Sequence, residues 1–83
     1  MKKQEVVSKV KELVSEVLEL ESSIEEIKED DMLSTYGLSS FTAIQLIVLI
    51  ENEYDFEFLD EDLVFENFES VNKLVDYIMK NAN

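Results

Sequence analysis

Apolar positions along this chain fall into helical rhythms separated by acidic, unpatterned stretches. Val6, Val7, Val10, Leu13, Val14, Val17 and Leu18 line one stripe when wound at about 100° per residue, with Lys9, Lys11, Glu12, Ser15 and Glu16 on the other face. This predicts a first amphipathic helix over residues 3–20 with its stripe against a core. Residues 21–39 carry no sustained period. Ser22 and Ser23 each have a glutamate three residues on, the capping-box spacing of a short helical turn. Ile24, Ile27, Met32 and Leu33 are the apolar anchors of an otherwise acidic segment. Together they predict a long ordered loop pinned to the core, and loops of this length in small domains are often functional.

The stretch from Gly37 to Tyr54 organises the rest. It holds the only glycine in the chain, then Ser39 and Ser40, then the longest apolar segment. Glycine beside hydroxyl residues, followed by apolar periodicity, marks a turn, an N-cap and a helix start. Ser39 is the better cap, which leaves Ser40 at the first helical position with its hydroxyl near solvent. Unpaired N–H groups and the helix dipole favour an anion there, so a phosphate ester on Ser40 would sit in a favourable field. The helix is predicted over residues 40–54 and carries two apolar stripes. Ala43, Leu46, Ile47, Ile50 and Tyr54 form one arc; Phe41, Ile44 and Val48 lie opposite, with Gln45 and Asn52 beside them. One stripe suffices for a surface helix. The second stripe is expected to face a partner. The alternative is that both stripes are core, with Phe41 tucked under the long loop.

Residues 54–59 alternate like a strand, but no second strand exists to pair with. They are read as an extended connector dipping Phe56 and Phe58 into the core. Asp60 is positioned to cap a short helix over residues 61–67, with Leu63 and Val64 or Phe65 inward. Ser70 caps a last helix over residues 71–80 whose inner face is Val71, Leu74, Val75, Ile78 and Met79. The expected fold is all-α: a small bundle of three main helices plus one short helix, with a long first loop, in a single domain spanning residues 1–83.

Composition narrows the chemistry. The 83 residues include no cysteine and no histidine. That removes disulfides, thiolate catalysis, the usual base of a catalytic triad and the commonest metal ligands. The acidic clusters Glu29-Asp30-Asp31 and Asp60-Glu61-Asp62 lack the glycine and terminal glutamate spacing of a calcium loop, so no metal site is expected. A formal net charge of −13, from 20 acidic and 7 basic residues, argues against nucleic acid and anionic membranes as partners and favours basic docking surfaces. Met-Lys-Lys is followed by Gln-Glu rather than an apolar run, and the segment from Phe41 to Ile50 is too short to span a bilayer. The expectation is a cytoplasmic protein that is a monomer and not an enzyme.

Gly37, Leu38, Ser39, Ser40 and Phe41, opening the second helix of an acidic helical bundle, resemble the signature of the acyl and peptidyl carrier proteins. The likeness extends over nearly the whole chain. It includes the helix order, the long first loop, the Glu51-Asn52-Glu53-Tyr54 end of the second helix and the Phe68-Glu69-Ser70-Val71 approach to the last. The resemblance implies that a phosphopantetheinyl transferase places 4′-phosphopantetheine from coenzyme A on Ser40. The thiol of that arm would then carry acyl or aminoacyl groups as thioesters, supplied by an adenylating or acyl-transferring loading enzyme and passed to downstream biosynthetic enzymes. A chain without cysteine can present a thiol only through such a group. Ser40 is chosen over Ser39 because Phe41 takes the apolar position that follows the modified serine in the family.

Two departures from the family pattern stand out. Ser39 replaces the usual aspartate; it can cap the helix but offers no negative charge to the transferase and its metal ion. The exposed face of the second helix offers Phe41, Thr42, Ile44, Gln45 and Val48, with Glu51 only further along, where fatty-acid carriers commonly have acidic residues. Leu38, Ser39, Phe41, Ile44, Gln45 and Val48 are the expected partner-binding residues, docking through apolar burial at roughly 25 cal/mol per Å² more than through salt bridges. That resembles discrete carriers of nonribosomal peptide or polyketide-like biosynthesis. The alternatives are a carrier of primary fatty acid synthesis and an unmodified interaction module.

Overall fold

The computed structural model describes residues 2–19 and 27–82. The predicted capping turn at Ser22 and Ser23 and the anchor Ile24 lie outside the described residues. The first helix, α1, runs Lys3–Leu18. It stops where Glu19 adopts a left-handed conformation (φ 53°) and its N–H turns back to the Glu16 and Ser15 carbonyls, a C-terminal cap usually given to glycine. Val6, Val10, Leu13 and Val14 are buried, and Val7, Val17 and Leu18 flank them, so the stripe is core as expected.

The second helix, α2, spans Ser40–Tyr54, matching the sequence reading at both ends. Its buried residues are Ala43, Leu46, Ile47 and Ile50. Glu5, in the first turn of α1, raises the pKa of Tyr54 together with burial and Glu53, burial being the largest cause. Glu16, Val17 and Glu19 at the end of α1 line one groove with Ile44, Gln45, Val48 and Leu49 of α2, so the two helices pack side by side. The third helix, α3, spans Val71–Asn81, with Ser70 accepting from the Lys73 N–H and with Val71, Leu74, Val75 and Ile78 buried. Met79, expected on that inner face, is 40% exposed. It lies one residue past Ile78, about 100° further round the helix, at the edge of the buried arc.

α1 packs on both α2 and α3, and all three stripes meet in one core. The connections contribute Ile27, Leu33, Leu38, Phe58 and Phe68 to it. Fully burying one such Val, Leu, Ile or Phe side chain contributes about 1.5–3 kcal/mol, which must offset the entropy of ordering the loops that bear them. Met32, expected as an anchor, is 45% exposed; it is the extended N-cap of a 3₁₀ turn whose first residue, Leu33, takes the core position.

The predicted short α-helix over 61–67 is replaced by two 3₁₀ turns, Asp60–Asp62 and Phe65–Phe68, separated by two residues. Asp60 caps nothing, and Leu63, Val64 and Phe65 are exposed while Phe68 is buried. A free-standing helix of seven residues does not repay its nucleation cost. Tertiary bonds shape the segment instead. The Tyr77 hydroxyl donates to Asp62 at 2.8 Å and accepts from the Leu59 N–H at 3.2 Å, and the Asn67 amide donates to the Asp62 carbonyl at 2.8 Å. Upstream, Phe58 stacks on Tyr77 with centroids 4.4 Å apart, and Phe56 leans on both, so the extended connector dips into the core as the alternation suggested. The all-α bundle of three main helices stands. Among the described residues, no helix is long and apolar enough to cross a membrane.

Candidate functional site

The loop between α1 and α2 ends in a 3₁₀ turn, Leu33–Tyr36, closed by Gly37 at φ 104°. An L side chain is strained at that angle even though a Cβ would meet no atom within 4 Å, so the glycine answers a backbone need rather than a lack of space. The Leu38 N–H donates to the Leu33 carbonyl at 3.1 Å, and both leucines are buried. These contacts set where α2 begins.

Ser39 is the N-cap, with extended dihedrals (φ −124°, ψ 177°). Its Oγ accepts from the Thr42 N–H at 3.4 Å, while Thr42 Oγ1 accepts from the Ser39 N–H at 2.8 Å. This is a reciprocal capping box with threonine in the place usually held by glutamate or glutamine. From the sequence Thr42 is expected only on the exposed face of the helix; for its capping role the Ser-x-x-Thr spacing was the available signal. Ser40 follows as the first residue of α2, is exposed, and has no hydrogen-bond partner for its hydroxyl among the described residues. The two adjacent serines thus have different surroundings. One hydroxyl closes the helix end and the other projects from it, beside first-turn N–H groups that attract negative charge.

The remaining expected site residues divide. Phe41, Ile44 and Val48 are 70%, 63% and 47% exposed, and Gln45 is exposed with them. This settles the second stripe of α2 as a surface stripe. Leu38, expected to face a partner, is instead buried at 5% exposure. It plugs the loop into the core, because its backbone bond to Leu33 turns the side chain inward.

Ile44 and Val48 form a ridge between two open grooves. One groove, about 420 Å³, begins at Ser40. Its floor is Ile47 and Phe68, its near wall Ile44 and Val48, and its far wall Leu63 and Phe65, with Glu51 at the end. The other, about 480 Å³, lies between α2 and the C-terminal part of α1, bordered by Glu16, Val17 and Glu19. Leu63, Phe65 and Phe68 are the lining residues the sequence reading missed, since nothing local says that a connector after α2 will fold back beside Ser40. Glu51 helps to hold it there: its Oε2 accepts from the Phe58 N–H at 2.9 Å.

Upstream of the cap, the Tyr36 hydroxyl donates to Asp31 Oδ2 at 2.6 Å, and the Lys28 N–H donates to the same oxygen at 3.3 Å. The Tyr36 bond is the main reason the Asp31 carboxyl sits below its ordinary value of 3.8, with slight burial opposing and Lys28 assisting. A carboxyl whose pKa is depressed by folding contributes stability that is full above its unfolded pKa and is lost as pH falls through the folded one. Tyr36→Phe is therefore expected to lower the melting temperature near neutrality and to flatten its decline below about pH 4. Equal acid-side slopes in thermal melts of the two proteins would contradict this.

Among the described residues, no group of acidic side chains could hold a metal ion. The site offers one free hydroxyl at a helix start, a field that favours an anion and an adjoining apolar groove. Such a setting can take a covalently attached phosphate ester.

Comparison with known proteins agrees. The family model described as "Phosphopantetheine attachment site" matches residues 8–78. A chain in the crystal structure of an engineered Bradyrhizobium japonicum glycine:[carrier protein] ligase complexed with a carrier protein from Agrobacterium tumefaciens and ATP is similar, with a TM-score of 0.81 and 28% identity over 90% of this chain and 97% of that one. The free-standing peptidyl carrier protein from an Acinetobacter baumannii secondary metabolic pathway matches at a TM-score of 0.76 and 23% identity, over 94% of this chain and 92% of that one. The HMG-ACPI domain of the CurA module from Lyngbya majuscula matches at 0.79 and 20%, over 95% and 76%. The last two likenesses speak to the fold alone. Among curated protein sequences, no relative matches.

Proposed function

The chain belongs to the family of phosphopantetheine attachment-site domains, and we propose that Ser40 is its attachment residue. The observation that carries this is the division of labour between neighbouring serines: Ser39 Oγ is engaged by Thr42, while Ser40 is exposed and its hydroxyl has no partner among the described residues. In the transfer, the Ser40 oxygen bonds to the phosphorus that carries the pantetheine of coenzyme A. The bond from that phosphorus to the bridging oxygen breaks, adenosine 3′,5′-bisphosphate leaves, and a base of the transferase takes the serine proton. The group supplies a terminal thiol on which acyl or aminoacyl units are held as thioesters.

The chain acts as a carrier domain without catalytic activity of its own, in nonribosomal peptide or polyketide-like biosynthesis. Its partners are the transferase, an adenylating or acyl-transferring loading enzyme, and the enzymes that accept the cargo. The likeness to a structure in which a carrier is bound by a glycine:[carrier protein] ligase supports a loading enzyme of the adenylating kind. The exposed stripe supports the same reading, since Phe41, Ile44 and Val48 favour apolar docking over the ion pairs of an acidic helix face. Ser39, Gln45 and the groove wall at Leu63 and Phe65 complete the docking surface, and the charge of −13 steers basic partners toward it.

The test is intact mass after incubation with coenzyme A and a broadly accepting transferase, followed by fragmentation. One added phosphopantetheine on residue 40 is expected. The loaded protein should then accept an amino acid from an adenylating enzyme faster than a malonyl group from a malonyl-loading one. An unchanged mass, under conditions that modify a control carrier, overturns the reading.

A further inference from the structure

Three hydrogen bonds fasten the loop that leads into Ser40 to the start of α3. The Asn72 N–H donates to the Glu29 carbonyl at 3.0 Å, and the Leu33 N–H donates to the Glu69 carbonyl at 2.7 Å. The Asn72 side-chain amide donates to the Asp30 carboxylate. Asn72 is the second residue of α3, where a helix N–H has no acceptor within the helix. The next N–H, that of Lys73, is taken by Ser70 Oγ at 3.2 Å. The first turn of α3 thus keeps one donor for its own cap and turns the other, with an amide beside it, toward the loop.

From this attachment the chain runs without slack to the modification site. Leu33 is buried, the 3₁₀ turn follows at once, Gly37 closes it, Leu38 is buried again, and Ser39 caps α2. Residues 29–33 and Ser40 are therefore ends of one short, multiply tied segment. Resting on the assignment of Ser40 as the attachment residue, we propose that Asn72 is a positioning residue for Ser40. It holds Glu29 and Asp30 so that the loop, the cap and the Ser40 hydroxyl meet the transferase in a single arrangement. Asn72 is half-buried and Asp30 is exposed, so trimming the amide removes the Asp30 tie alone, leaves the two backbone bonds in place and opens no core cavity. A carrier whose competent arrangement is only partly populated binds its enzyme more weakly by that fraction, while turnover at saturation is unchanged.

The experiment follows transferase kinetics with coenzyme A and the unmodified full chain, at a temperature where every variant is folded. Asn72→Ala is expected to raise KM for the protein by up to about tenfold, the full effect of losing one such hydrogen bond where tied and untied arrangements lie near balance, and to leave kcat unaltered. Asn72→Asp sets two carboxylates face to face and raises KM further. Combining Asn72→Asp with Asp30→Asn exchanges donor and acceptor and returns KM toward that of the unaltered chain. A merely structural contribution would lower the melting temperature of Asn72→Ala but leave KM in place. Normal KM in Asn72→Ala, or no recovery in the exchanged pair, overturns the proposal while leaving Ser40 assigned. No modification of the unaltered chain removes both.

Discussion

Ser40→Ala is expected to eliminate the phosphopantetheine gain, whereas Ser39→Ala is expected to retain it on a less stable protein. The argument rests on what each hydroxyl already does. Ser39 Oγ accepts from the Thr42 N–H, and the Ser39 N–H returns the bond to Thr42 Oγ1. Removing a serine N-cap costs about 1 kcal/mol, which lowers the melting temperature of a domain this size by about 4–8 °C. Ser40 lies at the first helical position, exposed, with no partner for its hydroxyl among the described residues, so Ser40→Ala should melt close to the unaltered protein. Intact mass and thermal melting read the two effects separately. A Ser40→Ala protein that still gains the group, or a folded Ser39→Ala protein that cannot, would move the site to the other serine.

A second pair of substitutions separates the two faces of α2. Leu46 is fully buried between the helices. Leu46→Ala removes transfer energy and leaves a cavity, a cost of about 2–5 kcal/mol. At about 0.05–0.15 kcal/mol per residue, an 83-residue chain has little more than that to lose. Denaturant unfolding should show a transition shifted far toward low denaturant, or no folded baseline. Ile44 is two residues away and 63% exposed. Ile44→Ala should leave stability within about 0.5 kcal/mol, yet raise the KM of a loading enzyme about fivefold or more if the ridge carries an interface anchor worth about 1 kcal/mol. If Ile44→Ala unfolds the protein, or leaves the loading KM untouched, the outer stripe is not a docking face.

The regular parts of this molecule were legible because their information is local. The 3.6-residue recurrence of Val6, Val10, Leu13 and Val14, and of Leu74, Val75 and Ile78, identifies inward faces whatever they pack against. The hydroxyls of Ser39 and Ser70 mark helix starts because capping needs only the next three residues. The Gly37 to Phe41 signature was legible for the same reason, and with it the family, its cofactor and the division between cap and free hydroxyl.

Where the local signal is weak, packing chose the outcome. The connector after α2 has too few residues to pay for a helix, so Tyr77, Asp62 and Asn67, up to fifteen positions apart, fold it into 3₁₀ turns. That turns Leu63 and Phe65 outward to wall the groove at Ser40. Leu38 and Met32 exchanged their expected environments because a loop has no period to say which side chain points inward; only the position of Leu33 against the helices does. Helix faces, caps and the free serine follow from neighbours a few bonds away and could be read from the chain directly. The shape of the groove and the anchoring of the loop by Asn72 depend on contacts between distant residues, which exist only once the three helices have come together.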